Sequence, residues 1–318
     1  MKKMLSCDWG TSSFRLRLVD TETMELIAEE TNSNGIAGVF GLWQKADKAE
    51  TERFLFYYEI IIASIKRIEQ KINGSVDTIP LVISGMSSSG IGMMELPYKN
   101  IPFLTDGSDL EIKQIEADRK IVLISGVRTE DDVMRGEETK LVGSKLGSTI
   151  GEHIFILPGT HPKHIKIRDT EVVGITTYMT GEYFDLLTKK SILSGSIESD
   201  GDFTIETNRQ YFEKGVNDSM HANLLHNSFL VRTNALFGKC NRQENYFYLS
   251  GLLIGTELKD LSGNNSAGIT LMGDKKLNIL YAVACKILTI SLTGIADADD
   301  ALIKGQIRMS AAVLKIFS

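Results

Sequence analysis

An acidic residue, a glycine and a run of hydroxyls stand together at Asp8, Gly10, Thr11, Ser12 and Ser13, in the string CDWGTSSFR that follows the apolar run MLS. Gly10 frees the backbone to turn, and the hydroxyls and amides of such a turn can hold a phosphate. Asp8, at the end of the first strand, can bind a hydrated magnesium ion, which keeps several waters and takes one or two carboxylates. The string equally fits an ordinary hairpin whose polar residues serve the turn, with Trp9 and Phe14 for packing. A second strand, glycine, threonine, strand pattern occurs in LPGTHPKHIKI, Leu157 to Ile167, with Gly159 and Thr160 at the bend. Two such hairpins at the starts of two similar domains could clamp the phosphates of ATP from both sides, which is the electrostatic positioning that phosphoryl transfer needs. His161 and Lys163 add donating or positive groups beside the second turn, and both also read as solvated strand-end residues.

Three further segments carry chemistry-bearing side chains. In SGVRTEDDVMRGEETKLVG, Asp131, Asp132, Glu137 and Glu138 crowd around Arg135 at an expected loop-to-helix junction. Arg135 can grip a carboxylate with two parallel hydrogen bonds, and an aspartate at the start of the helix can take the proton from an attacking hydroxyl. Capping of that helix by Asp131 or Asp132 accounts for the acids without accounting for Arg135. The loop SGMSSSGIGMMELPY, Ser84 to Tyr98, is long enough to line a substrate pocket, with Gly85, Met86 and Ser89 as its candidate contacts. In GITLMGDKKL, Gly273 between a strand and a helix would let an adenine or its ribose lie against backbone; a plain strand-to-helix turn fits as well.

The elements around these residues follow a repeated plan. MLSC, FRLRLVD and MELIAEETN read as three strands joined by tight turns, an antiparallel meander, the middle one alternating Phe14, Leu16 and Leu18 with Arg15, Arg17 and Val19. Residues 52 to 72 carry apolar side chains at helical spacing, and TIPLVIS and KIVLISG follow as strands. In the second half HIFILPGT, KHIKIRD and EVVGITTYM are strands, TGEYFDLLTKKSIL, most of 205 to 239 and NYFYLSGLLIGTELKDL are helical, and AGITLMGD is a strand entering a helix. The natural boundary is the loop near GSTIGEH, giving domains 1–147 and 148–318. DADDALIKGQIRMSAAVLKIFS reads as an amphipathic helix with an acidic start, able to pack back on the first domain.

A chain of 318 residues with 42% apolar residues suffices for two domains, each with its own core. The net charge of -6, without blocks of like charge, argues against a nucleic-acid partner. Cys7, Cys240 and Cys285 are too isolated for a metal knuckle or a disulfide framework, which suits a reducing cytoplasm. No signal-peptide pattern and no run of about 18 apolar residues is present, so membrane insertion and secretion are not expected. A homodimer is compatible with the sequence, which does not fix the oligomeric state.

The strings DWGTSSFR, GM with ELPY, DVMRGEET, LPGTHPKHIKI, TYMTGEYFDLL and LSGLLIGTEL, in this order, resemble the bacterial 2-dehydro-3-deoxygalactonokinases of the actin, hexokinase and heat-shock-chaperone superfamily, over nearly the whole chain. The resemblance implies an α/β fold of two ribonuclease-H-like domains, each a five-stranded mixed sheet flanked by helices, with ATP and a sugar acid in the cleft between. It implies ATP-dependent phosphorylation of the 6-hydroxyl of 2-dehydro-3-deoxy-galactonate, in galactonate catabolism. Asp8 takes the magnesium role, and Gly10, Thr11, Ser12, Gly159, Thr160, Lys163 and Gly273 the ATP roles. Asp132 is the base. Arg135, Glu137, Glu138, Gly85, Met86 and Ser89 serve the substrate or its network.

The chain departs from the family pattern after GM, where Ser89, Gly90 and Met93 replace a run with a large polar residue and a tryptophan. The pocket could therefore take a related sugar acid. The superfamily's adenosine glycine pair is reduced to Gly273, which leaves nucleotide preference open. Three rival readings remain. An exopolyphosphatase-like hydrolase shares the SFR of the first turn but has no place for DVMRGEET. A non-catalytic sugar-acid sensor built on such a kinase would carry a helix-turn-helix, and an actin-like filament former would need no sugar pocket.

Overall fold

The alternation in FRLRLVD and the turns on either side of it dictate a meander, and the computed structural model of the protein has one. The structure describes residues 3–144, 151–199, 201–221, 223–263 and 267–314. The expected boundary at residue 147 falls outside them. The chain divides into two units, one of Met1–Thr149, Thr170–Ile175 and Ala298–Ser318, the other of Ile150–Asp169 and Thr176–Asp297.

In the first unit, β1 (Lys3–Trp9), β2 (Phe14–Asp20) and β3 (Leu26–Asn32) are antiparallel neighbours. Helices α1 (Ile36–Ala46) and α2 (Arg53–Ile72) follow, then β4 (Leu81–Gly85), β5 (Lys99–Asn100), β6 (Phe103–Leu104), β7 (Ile112–Glu116), β8 (Lys120–Ile124), β9 (Val127–Arg128), β10 (Val133–Met134) and α3 (Glu137–Gly143). The sheet order is β3-β2-β1-β4-β8-β7, with β1, β4 and β8 parallel. Five of these strands make the expected mixed sheet, and β7 adds an antiparallel sixth at its edge.

One face of the sheet is covered by α2, whose buried Tyr57, Tyr58, Ile61, Ile65 and Ile68 form the apolar stripe of a helical repeat. Trp9 lies edge-on to Phe14 at 5.0 Å, packs 5.7 Å from Tyr57, and donates its indole N–H to the Asn34 carbonyl at 2.8 Å. The other face is covered as well, by α9 (Ala298–Leu314), whose place in chain order comes after the elements of the second unit. Gln306 of α9 donates to the Cys7 carbonyl and the Ser84 hydroxyl, both at 2.9 Å. Asp299, at its start, pairs with Arg15 at 2.5 Å and with the buried Arg17 at 2.7 Å, and Arg17 also holds Glu29. Helices α3 and α9 cross at backbone contact: a Cβ on Gly143 would stand 1.8 Å from the Ala301 carbonyl, and one on Gly305 1.8 Å from the Thr139 carbonyl.

The second unit repeats the plan. β11 (Glu152–Leu157) and β12 (Lys163–Arg168) form a hairpin, followed by β13 (Glu171–Thr177), α4 (Thr180–Lys190), α5 (Glu206–His221), α6 (Leu224–Leu236), α7 (Arg242–Leu258), β14 (Gly268–Gly273), α8 (Lys275–Ile287) and β15 (Gly294–Asp297). β12 and β11 are antiparallel, and β11, β14 and β15 are parallel, the order of β2, β1, β4 and β8 over again. β13 begins in the first unit, where Glu171 and Val172 pair with β6. Phe212 and Val216 of α5, Phe247, Ile254 and Leu258 of α7, and Leu280 and Tyr281 of α8 pack with Ile156, Ile269 and Leu271 of the sheet. All three cysteines are free. Among the described residues no helix is long and apolar enough to cross a membrane.

Candidate functional site

In parallel α/β sheets the carboxyl ends of the strands are where ligands bind. In the first unit the ends of β1 and β4 gather most of the candidate residues. Asp8 is half-buried beside Ser84 of β4, and among the described residues no hydrogen bond or ion pair occupies its carboxylate. The turn after it closes by a bond from the Gly10 amide to the Ser13 carbonyl, leaving Thr11 and Ser12 exposed. Its own carbonyls are taken: Gly10 and Thr11 accept from the Ile36 and Ala37 amides in the first turn of α1. That contact requires Gly35, where a Cβ would lie 2.3 Å from the Thr11 carbonyl.

β4 ends on Gly85 with φ +89, and a Cβ there would stand 2.7 Å from the Trp9 carbonyl, so only glycine lets the strand end pass the first turn. Met86 opens a short helical turn in which Ser89, almost fully buried, donates to the Met86 carbonyl at 2.7 Å. Arg135 is 9% exposed and turned into this loop. It donates from Nη1 to the Ser88 carbonyl and hydroxyl at 2.5 and 2.6 Å and lies 4.1 Å over the Tyr98 ring, while its Nε is buried without a partner. The geometry thus corrects the view of Arg135 as a free carboxylate fork. Its guanidinium braces the loop from Met86 to Tyr98.

Asp132 does not precede a helix. It closes the tight turn between β9 and β10, where the Thr129 hydroxyl accepts from the Asp131 and Asp132 amides and the Asp132 carboxylate accepts from the Val133 amide at 2.7 Å. Two two-residue strands are too short to show a period, so the sequence read this hairpin as a helix start. The residue before α3 is Gly136 at φ +107, beside Gly85. Neither aspartate caps α3. The two glutamates fold back, Glu137 accepting from the Arg135 amide at 3.0 Å and Glu138 from the Gly136 amide with both oxygens, at 2.9 and 2.7 Å.

Glu138 is 0% exposed, and of the two roles expected for it, substrate or network, its bonds to Gly136 and Thr139 belong to the network. Burial, reinforced by the Glu137 carboxylate, pushes its carboxyl up to about 7, against the opposing bonds from Gly136 and Thr139. Since the folded state holds the proton more tightly than the unfolded chain, this group favours folding at low pH, and the advantage is lost as pH rises from about 4.5 to about 7. The swing is on the order of 3 kcal/mol. Glu138→Gln is therefore expected to be less affected by pH across that window, gaining on the parent between pH 5 and pH 8; urea midpoints of both proteins at the two pH values measure it.

In the second unit, Gly159 and Thr160 are exposed at the turn between β11 and β12. The turn rests on the start of α4 as the first rests on α1: Thr160 accepts from the Glu182 amide at 3.0 Å, and a Cβ on Gly181 would lie 2.4 Å from the Gly159 carbonyl. Lys163 is buried, not a solvated strand end, and donates to the His161 carbonyl at 3.0 Å. His161 itself is exposed and pairs with Glu182 at 2.5 Å. Gly273 ends β14 next to this turn, but the close approach that needs a glycine is to the protein itself: a Cβ would meet the Asn278 Oδ1 at 2.9 Å and Pro158 at 3.3 Å.

The structure thus groups Asp8, Gly10, Thr11, Ser12, Gly85, Met86, Ser89, Arg135, Glu137 and Glu138 around two strand ends of one unit, and Gly159, Thr160, Lys163 and Gly273 around two strand ends of the other. Asp132 sits on its own turn two residues before Met134. Sequence reasoning passed over Gly136, whose place between Arg135 and the glutamates was the available signal, and Ser88, for which there was none. The family model for 2-keto-3-deoxy-galactonokinase matches residues 8–309, from Asp8 into α9. The chain belongs to the 2-keto-3-deoxy-galactonokinase family.

Members of this family are similar to it over most of their length. A Rhizobium meliloti (strain 1021) protein assigned as a 2-dehydro-3-deoxygalactonokinase is 30% identical over 98% of this chain and 96% of its own. The Escherichia coli (strain K12) 2-dehydro-3-deoxygalactonokinase is 29% identical over 68% of this chain and 74% of its own. A crystal structure of a protein from Sinorhizobium meliloti, likewise assigned, superimposes with a TM-score of 0.81 at 28% identity, covering 99% of this chain and 98% of that one. The galactonokinase family match also spans DVMRGEET, the string that an exopolyphosphatase reading cannot place.

Proposed function

We propose that this chain is an ATP-dependent kinase acting on the 6-hydroxyl of 2-dehydro-3-deoxygalactonate or a closely related 2-keto-3-deoxy sugar acid, in galactonate catabolism. The observation that carries the reading is the family match over residues 8–309, which includes both glycine-hydroxyl turns and the Arg135 loop. Thr11, Ser12 and Thr160, hydroxyls on exposed turns, bind phosphate oxygens. Asp132 takes the proton from the acceptor hydroxyl as that oxygen attacks the γ-phosphorus and the bond to ADP breaks. Gly85, Met86 and Ser89 shape the sugar-acid pocket, with the Arg135 guanidinium beneath their loop.

A magnesium ion suits Asp8. One unclaimed carboxylate beside hydroxyl oxygens fits an ion that keeps most of its waters, and among the described residues no cluster of three acidic, histidine or cysteine side chains offers a fuller cage. When bound, the ion neutralises charge on the transferring phosphate. ATP consumption measured across a panel of 2-keto-3-deoxy sugar acids and neutral sugars tests the proposal. Turnover of the acids is expected; turnover of neutral sugars alone would overturn the sugar-acid assignment.

A further inference from the structure

Three strings that mark the family contain residues with no part in the reaction above: His164 in LPGTHPKHIKI, Thr180 in TYMTGEYFDLL and Glu257 in LSGLLIGTEL. They meet at one buried carboxylate. Glu257, 2% exposed near the end of α7, accepts from the Thr180 hydroxyl at 2.5 Å and the Tyr281 hydroxyl at 2.7 Å with one oxygen, and lies 3.0 Å from the His164 ring nitrogen with the other. His164 is itself buried, and its ring packs 4.6 Å from Tyr178.

These contacts hold both arms of the second turn from behind. His164 stands on β12, the strand that leaves the turn, opposite Ile156 of β11. Thr180 is the first residue of α4, the helix start on which Gly159 and Thr160 rest through Gly181 and the Glu182 amide. Tyr178 adds a bond from its amide to the Pro162 carbonyl at 2.9 Å. Gly159 and Thr160 are exposed, and the side-chain pair beside them, His161 with Glu182, is exposed too, whereas a buried carboxylate tolerates little displacement of its donors. The position of α7 is in turn fixed by backbone contact with α5, since Cβ atoms on Gly215 and Gly251 would lie 2.2 and 2.1 Å from the Tyr248 and Phe212 carbonyls.

We infer that Glu257 is a positioning residue for nucleotide binding: through Thr180 and His164 it sets the Gly159–Thr160 turn in the geometry that receives ATP phosphate. The inference rests on the kinase reading above. The test is Thr180→Val, which keeps the shape and removes the hydroxyl, with Thr180→Ser as the restoring variant and Glu257→Gln as a second perturbation of the same bond. Calorimetric binding of a non-hydrolysable ATP analogue and steady-state kinetics are measured together. Thr180→Val and Glu257→Gln are expected to weaken analogue binding and raise KM for ATP roughly tenfold, the worth of one buried hydrogen bond. KM for the sugar acid should stay within twofold, roughly the scatter of a site left intact, and Thr180→Ser should recover most of the loss. A parent protein that binds the analogue while Thr180→Val binds it equally well, or loses sugar-acid and ATP affinity alike, overturns the inference and leaves the kinase reading standing. A parent protein that binds no analogue overturns both.

Discussion

Asp132→Asn is expected to lower kcat by about 100-fold or more, the usual loss when a general base is removed, with KM for ATP nearly unchanged. The local structure makes this a clean substitution. The turn that carries Asp132 is closed by Thr129, whose hydroxyl accepts two amides and whose own amide donates to the Asp132 carbonyl, and none of these bonds uses the Asp132 carboxylate. The bond from the Val133 amide to Oδ1 survives in asparagine, which keeps a carbonyl oxygen there. What the substitution removes is the negative charge and, with it, the capacity to take a proton. Near-normal turnover in this variant would remove Asp132 as the base and move the role to a neighbouring carboxylate, with Asp131 on the same turn the next to replace.

The largest effect on stability is expected at Gly143. An alanine methyl there would stand 1.8 Å from the Ala301 carbonyl, and the atoms in the way are backbone of α9, which cannot rotate aside as a side chain can. The helices would have to separate, breaking the paired contact at Gly305 against Thr139 and disturbing Glu138 next to it. Overpacking of this kind costs about 3 kcal/mol or more, which corresponds to a fall in Tm of roughly 6–12 °C for a domain of this size. Thermal unfolding followed by circular dichroism reads it. The same substitution at Gly38 or Gly41 of α1, where a Cβ meets nothing within 4 Å, is the control and should leave Tm unchanged or higher.

What the sequence made legible was whatever depends on neighbours along the chain. The meander of β1 to β3, the long α2 and the β11–β12 hairpin follow from alternation, helical spacing and turn residues, and all three stand where those signals put them. Helix α1 was missed because Gly38 and Gly41 dilute its pattern, although Ile36, Val39 and Trp43 form its buried stripe. The candidate site was legible in its residue types but not in their directions. Arg135 and Glu138 look like surface charges in DVMRGEET; one is turned under a loop whose Ser88 stands 47 residues earlier, and the other is sealed where α3 meets α9. Neither burial leaves a local trace. The two faces of β2 were separable by alternation, but that both are covered depends on Asp299 and Gln306 at the far end of the sequence.

That dependence on α9 also orders how the protein can be made. Chains emerge from the ribosome at about 5–20 residues per second, and domains generally fold as units as they appear. Here the opening strands emerge first, yet the face of their sheet that binds Gln306 and Asp299 stays uncovered until the whole second unit has been translated. The nascent first half must wait with Arg17 held by Glu29 but lacking Asp299, and with the polar atoms around Ser84 open to water, a span in which holdase chaperones would find a binding surface. The second unit, whose β14 and β15 precede α9, can complete its sheet first, so the half that begins the sequence is the half that finishes folding last.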